Sequence, residues 1–314
     1  MTYSIVARDP ETGDLGVAVQ SKFLAVGAVV PWARAGVGAI ATQSFANVAY
    51  GPDGLDLLAG GERAEDTLRQ IVEADELRDE RQAGIVDADG GSATHTGRNC
   101  FAWAGGLTGP GYAAQGNILA GPAVVDALVD TYLSGGRPFP ELLVDCLAAA
   151  DSEGGDRRGR ESASLLIVRE GGGYGGGNDR WIDLRVDHHD DPIGELGRLL
   201  ELQHLYLDRP DPADLLALDE ATAAEIRDIL TALDGAPGGR FGSVYARMSG
   251  EPGPDDRAPR PFTGERRALP ANWDDAWQVA LDDWMSVENL EERAAAPGWI
   301  DPRVLAVLRS RRPA

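Results

Sequence analysis

The chain has 314 residues and sets 29 Lys and Arg against 51 Asp and Glu, a formal net charge of −22 at pH 7. So acidic a surface repels phosphate backbones and anionic headgroups, which excludes nucleic acid as a main partner and argues against membrane binding. Hydrophobic residues make up 43%, enough at this length to bury a core without covalent staples, and the two cysteines, Cys100 and Cys146, stand in no metal-ligand or C-x-x-C spacing. A reducing cytoplasm is the compartment expected. Among the basic residues, Lys22 is the one lysine; all the others are arginine.

No apolar run reaches the roughly 18 residues that span a bilayer. Met1-Thr2-Tyr3-Ser4-Ile5 lacks the basic region of a secretory signal, so the first residues are expected to be structure. Short β-branched and apolar runs at Tyr3–Ala7, Leu15–Val19, Val26–Val30 and Val37–Thr42 predict strands, the first two joined by a hairpin over Asp9–Asp14. Helical spacing begins near Pro52, with Leu55 and Leu58, then Ala64, Leu68, Ile71 and Val72 on one face. Strands return at Gln82–Asp87 and Ser92–Thr96 around the turn Asp89-Gly90-Gly91, and further short runs lie at Cys100–Trp103 and Gly111–Leu119. Pro122 opens a helix that turns Val124, Val125, Leu128, Val129 and Leu133 to one side, and a second carries Leu142, Leu143, Cys146 and Leu147. Strands at Ser164–Arg169 and Trp181–Val186 flank the glycine-rich Gly171–Gly177.

Segregated blocks of strands and helices imply antiparallel sheets with helices on their outer faces, an α+β architecture. Two such sheets packed together, with a helical layer on each side, use every block of residues 1–200. Beyond them, Ile193–Tyr206 and Ala221–Leu233 are helical, and Gly235–Gly264 is rich in glycine and proline, as a linker or irregular loop is. From Asn272 helical spacing resumes with Trp273, Trp277, Trp284 and then Trp299, tryptophans best placed as the core of a small helical C-terminal domain over residues 208–314.

Several chemical motifs fail on context. Gly36–Ala41 fits G-x-G-x-x-[GA] but lies inside a strand-like run, where a phosphate finds no helix N-terminus. Ser21, not glycine, precedes the one lysine, which rules out a Walker loop, and no G-x-S-x-G is present. His188 and His189 sit in an aspartate-rich turn whose adjacent residues do not converge on one ion. No metal and no cofactor are expected.

Thr2 is the candidate nucleophile, although many chains begin Met-Thr for no catalytic reason. Loss of Met1 leaves a threonine whose own α-amine, with a pKa of roughly 7.7–8.0, can take the proton of its hydroxyl. Nucleophile and base are then one residue, a recognised pair for acyl transfer. A first-strand threonine also has the end of the second strand beside it, which brings Ser21 and Lys22 close; a lysine there can tune the amine in a way that an always-protonated arginine cannot. Gly116-Asn117 ends a strand just before the Pro122 helix, where an amide can orient the amine or an oxyanion, or simply hold the turn. In Gly154–Ser162 the glycines permit close backbone approach, Arg157 and Arg160 can grip a carboxylate, and Asp156 can orient the amine or Lys22.

Thr2–Ala7, Leu15–Phe23, Ala41-Thr42-Gln43, Tyr50-Gly51, Gln115–Leu119, Gly154–Arg160 and Asp183–Val186 together resemble the domain of unknown function family 1028, over about residues 1–200. That family is similar to the N-terminal nucleophile hydrolases, which implies a four-layer αββα sandwich. By position the resemblance implies Thr2 as nucleophile and base, Lys22 or Ser21 lining the site, an oxyanion hole of backbone N–H groups around Thr42 and Gln43, Asn117 on a strand-to-helix turn, and Asp156 on a loop facing the nucleophile. Residues 208–314, through Asn289–Arg293 and Gly298–Asp301, resemble the peptidoglycan-binding domain often attached to this family. The activity expected is hydrolysis of a small-molecule amide that bears a carboxylate. The competing expectation is a non-catalytic protein that binds a ligand or cell-wall glycan on the same fold. Flat-faced sandwiches commonly pair, so a homo-oligomer is expected.

Overall fold

The computed structural model describes residues 2–239 and 263–313. The chain divides into two units, Met1–Leu200 and Glu201–Ala314.

In the first unit, β1 (Thr2–Arg8) and β2 (Leu15–Ser21) form a hairpin. Its loop is closed by Asp9, whose backbone N–H donates to Asp14 O at 2.8 Å and whose carboxylate accepts from Glu11 N and Thr12 Oγ1 at 2.9 Å each. That loop fixes the register from Arg8↔Leu15 at one end to Thr2↔Ser21 at the other. With β7 (Gly105–Gly109), β8 (Tyr112–Asn117), β9 (Ser162–Val168) and β10 (Arg180–Val186), they make an antiparallel sheet in the order β10-β9-β2-β1-β8-β7. The second sheet is β3-β4-β5-β6, from Pro31–Arg34, Gly38–Ser44, Arg81–Asp87 and Ser92–Thr96.

Strand alternation sorts the core into layers. Tyr3, Ile5, Ala7, Ala18 and Leu165 pack against α3 (Ala123–Ser134) and α4 (Phe139–Ser152), through Val124, Leu128, Leu143 and Leu147. Val6, Val17, Val19 and Leu166 point the other way, onto Ala39, Ala41 and Val86 of the second sheet. The far face of that sheet, with Ile40, Ala83 and Ile85, is covered by Leu55, Leu58, Leu68 and Ile71 of α1 (Tyr50–Ala59) and α2 (Ala64–Glu73). Mixed α and β structure with antiparallel sheets agrees with the class expected from the block order.

Three local expectations are corrected. Val26–Val30 is not a strand: Val26–Ala28 is a short 3-10 turn entered through left-handed Ala25, and a Cβ on Gly27 would lie 2.7 Å from Ser164 Cβ. Cys100–Trp103 lies in a connection, and the strand that follows is Gly105–Gly109. Leu133, near the end of α3, is exposed.

The second unit is largely helical, with helices Glu220–Ala232, Asp275–Val287 and Pro302–Ser310 and a two-residue pairing of Leu216–Ala217 to Trp299–Ile300. Each of these helices starts on an aspartate, Asp219, Asp274 and Asp301, that accepts from backbone N–H groups of the first turn. Trp273 and Trp284 are buried among Ile226, Ile229, Leu281, Ile300, Val304 and Leu308, and Trp277 packs at the edge of this core. Buried Arg293 meets Asp301 through Nη2 at 2.7 Å and donates from Nη1 to the carbonyls of His204 and Asp208. Most of the glycine- and proline-rich stretch 235–264 lies outside the described residues. Among the described residues no helix is long and apolar enough to cross a membrane.

Candidate functional site

Thr2 opens β1, a central strand of the larger sheet, and is paired with Ser21 of β2 on one side and Asn117 of β8 on the other. Alternation that sends Val6 and Val19 into the space between the sheets sends Thr2, Ser4 and Ser21 there too. Thr2 Oγ1 lies 3.0 Å from Ser21 Oγ, and Ser21 Oγ also accepts the backbone N–H of Phe23 at 3.1 Å. Thr2 is only 5% exposed, so its hydroxyl lies at a buried end of the interface between the sheets.

The facing sheet supplies amides. Gln43 donates to Gln82 Oε1 at 2.8 Å and to the carbonyls of Thr2 and Gln115 at 3.4 Å each, while its own oxygen accepts from Ser4 Oγ at 2.7 Å. Asn117 Nδ2 donates to the same Gln82 Oε1 at 2.8 Å, and Gln82 Nε2 donates to Gly116 O at 2.8 Å and Thr96 Oγ1 at 2.9 Å. Gln115 donates to Ser4 Oγ at 2.7 Å. Ser4, Gln43, Gln82, Gln115 and Asn117 are all buried, and a buried amide network of this kind holds its members in fixed orientations. Gln82, Gln115 and Ser4 escaped the sequence reading. Their signal was a polar residue at a core-facing position of a strand otherwise built of Ala, Gly, Val and Ile.

Thr42 does not join this group. It is one residue out of phase with Gln43, its hydroxyl donates to Asn47 O at 3.0 Å, and its backbone N–H is taken by Val30 O at 3.1 Å. Lys22 enters through its backbone. Its N–H donates to Asp156 Oδ2 at 3.0 Å, whereas its ammonium donates to Arg160 O at 2.9 Å and Glu161 Oε2 at 2.7 Å and makes no hydrogen bond to Thr2. Glu161 binds His188 Nδ1 as well; the hydrogen bonds from Lys22 and then His188 hold its carboxyl below the usual range.

Asp156 is buried at the Leu119↔Asp156 bridge, where it also accepts from Arg158 N at 2.9 Å. Arg160 is turned onto Asp151. Arg157 donates its N–H to Ile118 O at 3.3 Å and is exposed, with no carboxylate partner among the described residues.

Backbone strain gathers at the same end. In the first unit the described non-glycine residues with positive φ are Ala25 (53°), Ser44 (68°) and Ile118 (53°). Ser44 follows Gln43, Ile118 follows Asn117, and Ala25 lies in the connection after β2. A β-branched residue in this region is an outlier, each such residue costs about 1–2 kcal/mol, and strain of this kind clusters at functional sites. Ile118 is clamped by its N–H to Phe101 O at 2.9 Å and by its carbonyl to Arg157 N.

Two cavities lie elsewhere in the unit. One of about 720 Å³ is lined by Arg8, Glu11, Tyr132 and Arg137, at the opposite end of β1. Another of about 610 Å³ is lined by Asn47, Tyr50, Gln70 and Asp75. Asp75 is desolvated there, yet hydrogen bonds from Arg81, Asn47, the Leu77 N–H and Tyr50 hold its carboxyl well below the usual range, which marks a structural tie between α2 and β5. Among the described residues no group of His, Cys, Asp or Glu is arranged to hold a metal ion.

A search of curated proteins finds no match. Among solved structures the chain is similar to the crystal structure of protein SPO2555 from Silicibacter pomeroyi, assigned to DUF1028, at 29% identity and TM-score 0.59, covering 65% of this chain and 89% of that one. A second, Anbu (ancestral beta-subunit) from Yersinia bercovieri, is 14% identical over 64% of this chain and 95% of that one; its TM-score of 0.31 is too low to carry an argument. Residues 265–308 match the family model described as "Putative peptidoglycan binding domain". Residues 2–196 match the model of the family of unknown function DUF1028, and the chain belongs to that family.

Proposed function

We propose that the first unit is an N-terminal nucleophile amidohydrolase on a four-layer αββα sandwich, with Thr2 as nucleophile after removal of Met1. The observation that carries this reading is the placement of Thr2 Oγ1, 3.0 Å from Ser21 Oγ at the buried end of a central strand. The freed α-amine, with a pKa of roughly 7.7–8.0, accepts the hydroxyl proton directly or through Ser21. Thr2 Oγ1 attacks the amide carbonyl carbon, the C–N bond breaks, and the amine leaves with that proton. Water then attacks the threonyl ester, releasing the acid and restoring the hydroxyl.

With the Thr42 N–H committed to Val30, the oxyanion falls to Asn117. Its amide has two N–H donors, and Gln82 Oε1 takes one, which orients the other for a developing negative charge. Asp156 is a positioning residue that ties the end of β2 to the Gly154–Arg160 loop through the Lys22 N–H. Arg157, exposed and without a carboxylate partner among the described residues, suits a carboxylate on the substrate. The second unit is read as a cell-wall glycan binder on the strength of its family match; co-sedimentation of the full chain with insoluble peptidoglycan tests this.

Intact-mass measurement tests the catalytic reading first. A mass lacking Met1 is expected, whereas a retained Met1 contradicts it, because an amide nitrogen cannot serve as the base.

A further inference from the structure

We propose that the substrate of the Thr2 site carries an apolar, preferentially aromatic, acyl group, received by a rim of Phe23, Phe45 and Phe101. The inference rests on the Thr2 reading above and names the substrate class of that site. These three side chains are 54%, 59% and 59% exposed, whereas Phe139 is buried in the core. Singly exposed apolar residues are ordinary on a protein surface, but three large ones delivered to one end of a sandwich by three separate connections are not scatter.

Their placement follows from the strands that carry the site. Phe23 stands two residues past Ser21, and its N–H donates to the Ser21 Oγ that touches Thr2. Phe45 stands two past Gln43, on the facing sheet, beyond the left-handed Ser44. Phe101 accepts from Ile118 N at 2.9 Å, immediately after Asn117. The three therefore stand just past the ends of β2 and β4 and beside the end of β8, the strand ends that carry Ser21, Gln43 and Asn117. Phe45 and Phe101 have ring centroids 6.5 Å apart at 56°, a tilted pair whose faces and edges suit a further ring. The Phe45 backbone is tied on both sides: its N–H donates to Glu80 O at 3.2 Å, and its carbonyl accepts from Arg81. Leu24 and Val48, near Phe23 and Phe45 in the chain, are also exposed.

The acyl portion is the part that needs holding. It stays attached to Thr2 through both half-reactions, while the amine leaves after the first. An apolar acyl group on the rim and an anionic amine portion at Arg157 together describe an N-acylated amino acid or a close analogue.

The test compares two β-lactones, one with a methyl and one with a benzyl substituent beside the carbonyl, as acylating probes of the mature protein. Adducts are followed by intact mass, and each rate is divided by that of a free peptide beginning with threonine. The expected corrected preference for the benzyl probe is about tenfold or more, falling toward one in Phe45→Ala and Phe101→Ala. Both positions are exposed, so an unchanged melting temperature confirms that these variants fold. A corrected ratio of one in the wild type overturns the rim while leaving Thr2 acylation intact. No Thr2 adduct with either probe overturns the Thr2 reading and the rim with it. Conversion of a dimer to a monomer by the alanine variants, with the ratio unchanged, makes the rim a contact between copies and also overturns the proposal.

Discussion

Thr2 and Ser21 face each other across the β1–β2 hairpin with their hydroxyl oxygens 3.0 Å apart. The contact is set at the far end of the hairpin, six register steps away, by the Asp9–Asp14 turn that starts the register at Arg8↔Leu15. A single-residue slip of β1 would turn Thr2 to the helix-facing side of the sheet and send Tyr3 and Ile5 into the space between the sheets.

Ser21→Ala removes the partner of Thr2 Oγ1 and the acceptor of the Phe23 N–H. The expected loss is about 1 kcal/mol of stability, read in urea, and roughly a tenfold slower acylation of Thr2. Unchanged acylation would show that the hydroxyl pair is packing alone.

Lys22→Arg is expected to retain Thr2 acylation within about threefold, because the Asp156 bond uses the backbone N–H and a guanidinium can still reach Glu161. Glu161 is an acid whose folded-state pKa is lowered. The contribution of its pairs is therefore present above the ordinary glutamate pKa and lost as pH falls through the lowered one. Complete loss of acylation in Lys22→Arg would place the ammonium at Thr2 in the reacting state.

Gly84→Ala strikes the amide network from the second sheet. A Cβ there would stand 1.9 Å from Gln115 Oε1, so Gln115 must leave Ser4 or β5 must move. We expect a cost of about 2–4 kcal/mol in chemical denaturation. A variant as stable as the wild type would mean that Gln115 has a second, unstrained position.

Most strands and helices of the first unit, and the position of Thr2 at the head of β1, were legible because turn residues and periodicity are local. Asp9–Asp14 and Asp89-Gly90-Gly91 announce their hairpins, and the first of these puts Ser21 beside Thr2. The amide network was not legible, since it depends on two sheets meeting face to face, and no spacing within one strand reveals that Gln43 and Asn117 share Gln82 Oε1. Thr42 and Gln43 looked equivalent as neighbours, yet alternation gives them opposite faces. Lys22 was visible as the single lysine, but a side chain's direction past the end of a strand is set by its partners, here Glu161 and Arg160 O. Likewise Arg293 and Asp301 stood in two separate motifs, and only folding joins them as a buried ion pair.

In the second unit, burial pushes the Asp282 carboxyl up to about 6, against a hydrogen bond from Gln278 and with added repulsion from Asp283. Because the folded state binds this proton more tightly than the unfolded chain, stability falls as pH rises from about 4 to about 6 and is then level. Asp282→Asn is expected to raise stability at pH 7 by about 2 kcal/mol and to flatten that slope. A melting profile of the full chain with the same pH slope in both proteins would contradict the assignment.

Peptide mapping of the mature protein after treatment with a threonine-reactive β-lactone decides whether Thr2 is the nucleophile. One adduct is expected, on the N-terminal peptide at Thr2, absent from Thr2→Ala. Equal labelling of the two proteins, or an adduct confined to other residues, would contradict it.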